Sequence, residues 1–163
     1  MTVSIDPTAR ISNLCDIEAS TRGTRITIGA RSVVDSFVKF KPAGGTGDVV
    51  IGEDCVINSG CVLYTGNGIW IGCHVAIAAN CVFAPVNHAF ADAAKLIRSQ
   101  GFQSSRGGIV IEDDVWIGAG CVLLDGTRIR RGAVIGAMSL VRGDVAAYGI
   151  HVGNPLHQVG RRG

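Results

Sequence analysis

Four histidines are the side chains in this sequence best suited to moving a proton near neutral pH: His74, His88, His151 and His157. An imidazole ordinarily changes charge around pH 6.5, so it can take a proton from a substrate and later return it. Position separates the four. His88 closes the block FAPVNH, beginning at Phe83, and stands at the base of the longest irregular segment of the chain, residues 89–110. A histidine on a loop held by a rigid scaffold is a candidate general base. Asp92, four residues on, is the acid that would orient it or stabilise its charge. His74 lies mid-block and reads as a solvated turn residue, while His151 and His157 fall in a C-terminal segment, 147–163, that reads as irregular. A three-histidine metal centre needs histidines converging from neighbouring layers. His74 and His88 are 14 residues apart with no third histidine at the same place, so no metal is expected.

The six cysteines are the other reactive set. Cys15, Cys55, Cys61, Cys81 and Cys121 each occupy the fifth position of a six-residue block, where Thr, Ser, Ala and Val stand in other blocks. A slot of that kind wants a small apolar side chain, and a free cysteine behaves as one. Cys73 is out of this register and has no CxxC partner, so there is no zinc pattern. Thiols in packing positions fit a reducing, cytoplasmic setting.

The blocks themselves come from a repeat that runs through the chain. From Ile111 the sequence reads IEDDVW, IGAGCV, LLDGTR, IRRGAV, IGAMSL, VRGDVA, with an aliphatic residue opening every block. Neither a 3.6-residue period nor simple alternation sustains a six-residue beat, which is the signature of a parallel β-helix. The beat starts at Ile5 and restarts at Ile28, Ile51, Ile71 and Ile111. Three blocks make one 18-residue turn, so the fold expected is all-β: a parallel β-helix of about six triangular coils in a single domain, 1–163, with one long inserted loop. Glycines at second positions (Gly29, Gly52, Gly72, Gly118, Gly136) are expected to supply backbone conformations that other residues avoid. The beat is broken by five extra residues after Ile17, five after Phe40, two after Leu63 and twenty-two after Phe83. Every break follows the third block of a coil, so all four insertions emerge at one corner of the prism, and insertions collected on one side mark a binding side.

Composition excludes other classes. Net charge is +2 with 17% charged residues, too little to argue for nucleic acid or an anionic membrane surface. Mean hydropathy is +0.35, but the most apolar stretch, Trp70 to Val86, keeps the six-residue beat and is interrupted by Gly72, His74 and Asn80. It falls short of the ~18 uninterrupted apolar residues of a membrane helix. MTVSIDPTAR shows no signal-peptide pattern. Trp70 and Trp116 sit at block edges, available for packing or for stacking on a ligand.

Three stretches carry a family resemblance: Asn87–His88 before a long loop, IVIEDDVWIGAGCVLLDG from Ile109, and AVIGAMSLVRGDVAAYGIHVGNP from Ala133. Together with the repeat, this order resembles the hexapeptide-repeat acyltransferases, especially the galactoside, maltose and polysaccharide O-acetyltransferases. The resemblance implies a left-handed coil, although parallel crossovers generally favour the right hand. It implies acetyl-CoA as donor, a small-molecule sugar acceptor, and a homotrimer with active sites between subunits, without membrane insertion. His88 then matches the catalytic histidine, and Asn58 an acceptor-binding asparagine, with Asn87 beside it. Ala119 and Ala137 match positions whose backbone contacts the pantetheine arm, Trp116 preceding the first. Arg142 stands where a Thr–Lys pair usually touches the cofactor, and His157 where an arginine often binds it, with Arg161 or Arg162 in reserve.

The leading expectation is acetyl-CoA-dependent O-acetylation of a sugar or saccharide intermediate. Its rivals are N-acetylation of a nucleotide-linked amino sugar, a γ-type carbonic anhydrase, and a non-catalytic β-helix scaffold.

Overall fold

The structure is a computed structural model that describes all 163 residues. Its short strands form three sheets, and successive coils contribute one strand to each. Sheet A stacks Thr2–Ile5, Arg25–Ile28, Val49–Ile51, Ile69–Ile71, Ile109–Ile111, Thr127–Ile129 and Asp144–Val145. Sheet B stacks Arg10–Ile11, Val33–Val34, Val56–Ile57, Ala76–Ile77, Trp116–Ile117, Val134–Ile135 and Gly149–Val152. Sheet C stacks Asp16–Ile17, Lys39–Lys41, Val62–Tyr64, Val82–Ala84, Val122–Leu124 and Leu140–Val141. Six full coils and part of a seventh result, with every one of these pairings parallel.

Register follows from the beat. Ile57, Ile77 and Ile117 are direct partners across sheet B, and Leu63, Phe83 and Leu123 across sheet C. Each block-opening aliphatic therefore stacks on its counterpart one coil away. The columns meet in one core of 28 buried apolar residues, with Phe40 and Phe83 its largest members. Each coil covers its neighbours' apolar rims, as in any solenoid. The first coil has a layer on one side only, and Ile11 and Ile17 are partly covered.

The turns correct one expectation. Left-handed backbone falls mainly on fourth positions, on non-glycine residues such as Arg31, Asp54, His74, Asn80, Asp114 and Met138 as well as on Gly60, Gly120, Gly126 and Gly132. The second-position glycines serve close approach instead. A Cβ on Gly52 would lie 2.5 Å from the carbonyl oxygen of Gly72, and one on Gly29 would lie 2.6 Å from the carbonyl of Gly52. The coils touch backbone to backbone there, leaving no room for any side chain.

The fifth-position slot is also more specific than small and apolar. Cys55 Sγ donates to Gly72 O at 3.0 Å, Cys61 to Ala78 O at 3.2 Å, Cys81 to Gly118 O at 3.3 Å and Cys121 to Gly136 O at 3.2 Å. Ser32 does the same to Gly52 O at 2.8 Å. A short side chain with one weak donor satisfies a second-position carbonyl of the next coil. All six cysteines are free, and the stacked Cys81 thiol together with burial pushes Cys121 upward.

The C-terminal segment, read as irregular, forms a hairpin. His157–Arg161 turns back antiparallel on Gly149–Val152 and closes the end of sheet B. Arg162 anchors it, bonding Asp114 at 3.0 Å and the carbonyl of Gly132 at 3.0 Å. No helix is long and apolar enough to cross a membrane.

Candidate active site

All four insertions leave the prism between sheets C and A, and the largest runs from Ala84 to Ile109. Its base is a two-stranded closure. His88 and Phe102 form an antiparallel bridge, Gln103 N donates to Asn87 O at 2.8 Å, and Ala89 N donates to Gly101 O at 3.0 Å. The rings of His88 and Phe102 stack with centroids 4.7 Å apart. Neither ring nitrogen of His88 bonds another group of the chain, and the side chain is exposed. The imidazole is thus held by its backbone and one face and left free at its edge.

Asp92 does not complete a pair with His88. Its carboxylate binds Lys95 Nζ at 2.8 Å and accepts from Ala94 N at 3.0 Å, and these two bonds, the lysine first, hold it below the ordinary carboxylate range. Gln100 clamps the same turn through the backbone N–H and carbonyl of Asp92. Asp92 shapes the loop tip, and the group against His88 is the Phe102 ring.

Where the loop returns, Asp125 fastens it. This side chain is 5% exposed and accepts from Arg106 N at 2.8 Å and Gly108 N at 2.9 Å. Beside this clamp lies a pocket of about 220 Å³ lined by Asn87, Phe90, Gln103, Arg106, Leu124, Asp125 and Arg142. Arg142 also borders a larger cavity, about 590 Å³, at the C-terminal end of the prism, together with Asp144, Asn154, His157 and the nearly buried His151. The structure therefore brings Arg142 and His157 to one cavity. Arg161 lies elsewhere: it pairs with Gly149 while His157 pairs with Val152, four residues along the strand or roughly 13 Å.

A second edge carries the remaining expected residues. Asn58, Ala119 and Ala137 lie in the turns between sheets B and C, stacked in coils three, five and six. The Ala119 carbonyl accepts Met138 N at 2.8 Å, but the N–H groups of Ala119 and Ala137 have no acceptor in the chain. Asn58 is partly committed, its Nδ2 donating to Ile77 O at 2.8 Å. Trp116 projects from sheet B next to this edge, 55% exposed, in register with Ala76 and Val134. Sheet C separates this edge from the one bearing Asn87, His88 and Arg142. Phe102, Arg106 and Asp125 escaped the sequence reading. The one visible signal was a lone acid, Asp125, inside the otherwise apolar LLDG.

Residues 108–143 match the family described as bacterial transferase hexapeptide (six repeats). A probable acetyltransferase of Mycobacterium tuberculosis is 38% identical over 114 residues, 70% of this chain and 35% of that protein. The galactoside O-acetyltransferase of Lactococcus lactis is 32% identical over 111 residues, 68% of this chain and 52% of that protein. The chain thus spans about a third to a half of the length of these curated relatives. Among solved structures, a mutant of AntD, an N-acyltransferase from Bacillus cereus in complex with dTDP-4-amino-4,6-dideoxyglucose and coenzyme A, superposes with a TM-score of 0.81. It is 22% identical, with 99% of this chain and 84% of that one covered. A maltose O-acetyltransferase from Clostridium difficile superposes at 0.60, 23% identical, over 98% and 70% of the two chains. In its repeat, its left-handed β-helix fold and these relatives, the chain is similar to the hexapeptide-repeat acyltransferases.

Proposed function

We propose that this protein is an acetyl-CoA-dependent acetyltransferase acting on a hydroxyl of a sugar or saccharide intermediate, with His88 as general base. The observation that carries the reading is the free edge of the His88 imidazole, fixed against Phe102 next to the pocket that Asn87 lines. A sugar hydroxyl does not ionise at neutral pH. His88 accepts its proton as the oxygen attacks, a contribution of about 10²–10⁴-fold.

Acetyl-CoA supplies the acyl group, activated as a thioester. This chain has residues that fit such a donor: the unpaired N–H groups of Ala119 and Ala137 suit its amide-bearing arm, and Arg142 with His157 suits its phosphates. These groups sit on two edges of one prism with sheet C between them. A site drawing on both edges needs two copies, which supports a homotrimer, a closed ring that repeats one interface. The outer faces of sheets B and C fit that role. Val33, Val56, Ala76, Trp116 and Val134 align on one, and Val62, Val82, Val122 and Leu140 on the other. Reduced, packed thiols fit a cytoplasmic setting.

A second reading, transfer to the amine of a nucleotide-linked amino sugar, draws on the likeness to the N-acyltransferase AntD. An amine is nucleophilic once neutral and asks less of His88. Thiol release from acetyl-CoA, followed across a panel of sugars and amino sugars, separates the two. His88→Ala should keep assembly and acetyl-CoA affinity and lose turnover; near-normal transfer in that variant would sink the assignment.

A further inference from the structure

The seam where the loop rejoins the prism holds more positive charge than the transfer reaction asks for. Arg106 borders both the pocket of about 220 Å³ and a neighbouring groove of about 130 Å³ formed by Gly107, Gly126, Arg128, Gly143 and Asp144. Arg142 lines the first pocket as well. All three arginines are exposed, and none of their guanidinium groups has a carboxylate within ion-pair distance. The acids facing them are already engaged. Asp125 is bound to two backbone N–H groups, and Asp144 pairs with Arg130 at 3.2 Å.

Arg106 is also held in place. Asp125 fixes its backbone N–H, and its stem packs over Gly126, where an added Cβ would lie 3.0 Å from Arg106 Cβ. A guanidinium whose backbone and stem are already fixed loses less entropy on meeting an anion, and its planar fork suits phosphate oxygens. Arg128 reaches the same groove from sheet A, in register with Val110 and Asp144.

We infer that this seam binds a phosphate group carried by the acceptor, with Arg106 and Arg128 as the residues that select it. The acceptor is then a phosphorylated or nucleotide-linked sugar rather than a free neutral saccharide. This rests on the acetyltransferase reading, and Arg142 stands between the acceptor's phosphate and the cavity assigned to the donor.

Calorimetric titration of the intact protein with inorganic pyrophosphate, glucose 1-phosphate, uridine diphosphate glucose and glucose tests it. Expected is binding of the three phosphate-bearing probes but not of glucose, with Arg106→Gln and Arg128→Gln each weakening it about tenfold or more. Acetyl-CoA affinity and the thermal midpoint should stay unchanged in both variants. Tighter binding of uridine diphosphate glucose than of glucose 1-phosphate assigns a diphosphate-linked acceptor; the reverse order assigns a sugar monophosphate. Absence of phosphate binding, equal binding by Arg106→Gln, or competition between pyrophosphate and acetyl-CoA overturns the inference. Binding is read without turnover, so such a failure leaves acetyl transfer standing. Phosphate binding without any acetyl transfer would instead remove the catalytic reading.

Discussion

The imidazole of His88 lies against the phenyl ring of Phe102, centroids 4.7 Å apart and planes tilted by 33°. The two residues are joined a second time by the backbone bridge between them. In the role proposed for His88, meeting an acceptor hydroxyl in one geometry, a fixed ring is an advantage, because a small misplacement at the reacting atoms costs rate steeply.

Phe102→Ala should therefore lower kcat by roughly two- to twelvefold, the range expected for losing an aromatic contact of about 0.5–1.5 kcal/mol. KM for acetyl-CoA should not move, and Phe102→Tyr should restore most of the rate. Steady-state kinetics of the three proteins checks this; an unchanged kcat in Phe102→Ala would detach the ring from catalysis.

Asp125→Ala leaves two loop N–H groups without their buried acceptor. Hydrogen bonds to a charged group contribute about 1.5–3 kcal/mol, and a loss of that order is expected in denaturant unfolding. Limited proteolysis should then cut within 89–110 before the coils open. Cleavage at the wild-type rate would show that the clamp is not what holds the loop.

Gly52→Ala forces a methyl into a backbone contact, 2.5 Å from the Gly72 carbonyl oxygen. Overpacking of this kind costs typically about 1–3 kcal/mol, and a rigid backbone neighbour places it at the high end. Gly107→Ala meets no atom within 4 Å, although its φ of +108° adds strain of its own. Unfolding midpoints should fall further for Gly52→Ala, and the reverse order would refute backbone contact as the reason for glycine there.

The carboxylates of the surface ladders set an acid limit. Arg31 holds Asp54 below the ordinary range, a backbone bond from Arg25 does so for Asp48, and Lys41 for Glu18. A depressed folded-state pKa gives stability that is complete above the unfolded value, about 4, and is lost as the pH falls through the folded one. The thermal midpoint should be flat from pH 7 to about 5 and decline below about 4, with Arg31→Gln flattening part of the decline. Exposure keeps each contribution small.

The coil architecture was legible because one local rule repeats. An aliphatic residue every six positions fixes which side chains point inward, and stacking identical positions fixes register without long-range information. The corner bearing the insertions followed from the same count. What the repeat could not show was the role of each turn residue. Gly52 and Asp54 stand two positions apart, yet the glycine is required by a neighbouring coil and the left-handed backbone falls on the aspartate. The C-terminal hairpin was missed because its antiparallel return departs from the beat.

The sequence by itself determined the β-helix, its coil number, the single corner bearing the insertions and His88 at the loop's base, since all of these depend on neighbours along the chain and on strict periodicity. Tertiary structure alone decided what surrounds His88. Phe102 and Arg106 reach the base of the loop through its closure, not through nearness in sequence, while Asp92, only four residues away, is drawn off by Lys95. Loop side chains obey no period, so their partners are set by the contacts that closure makes.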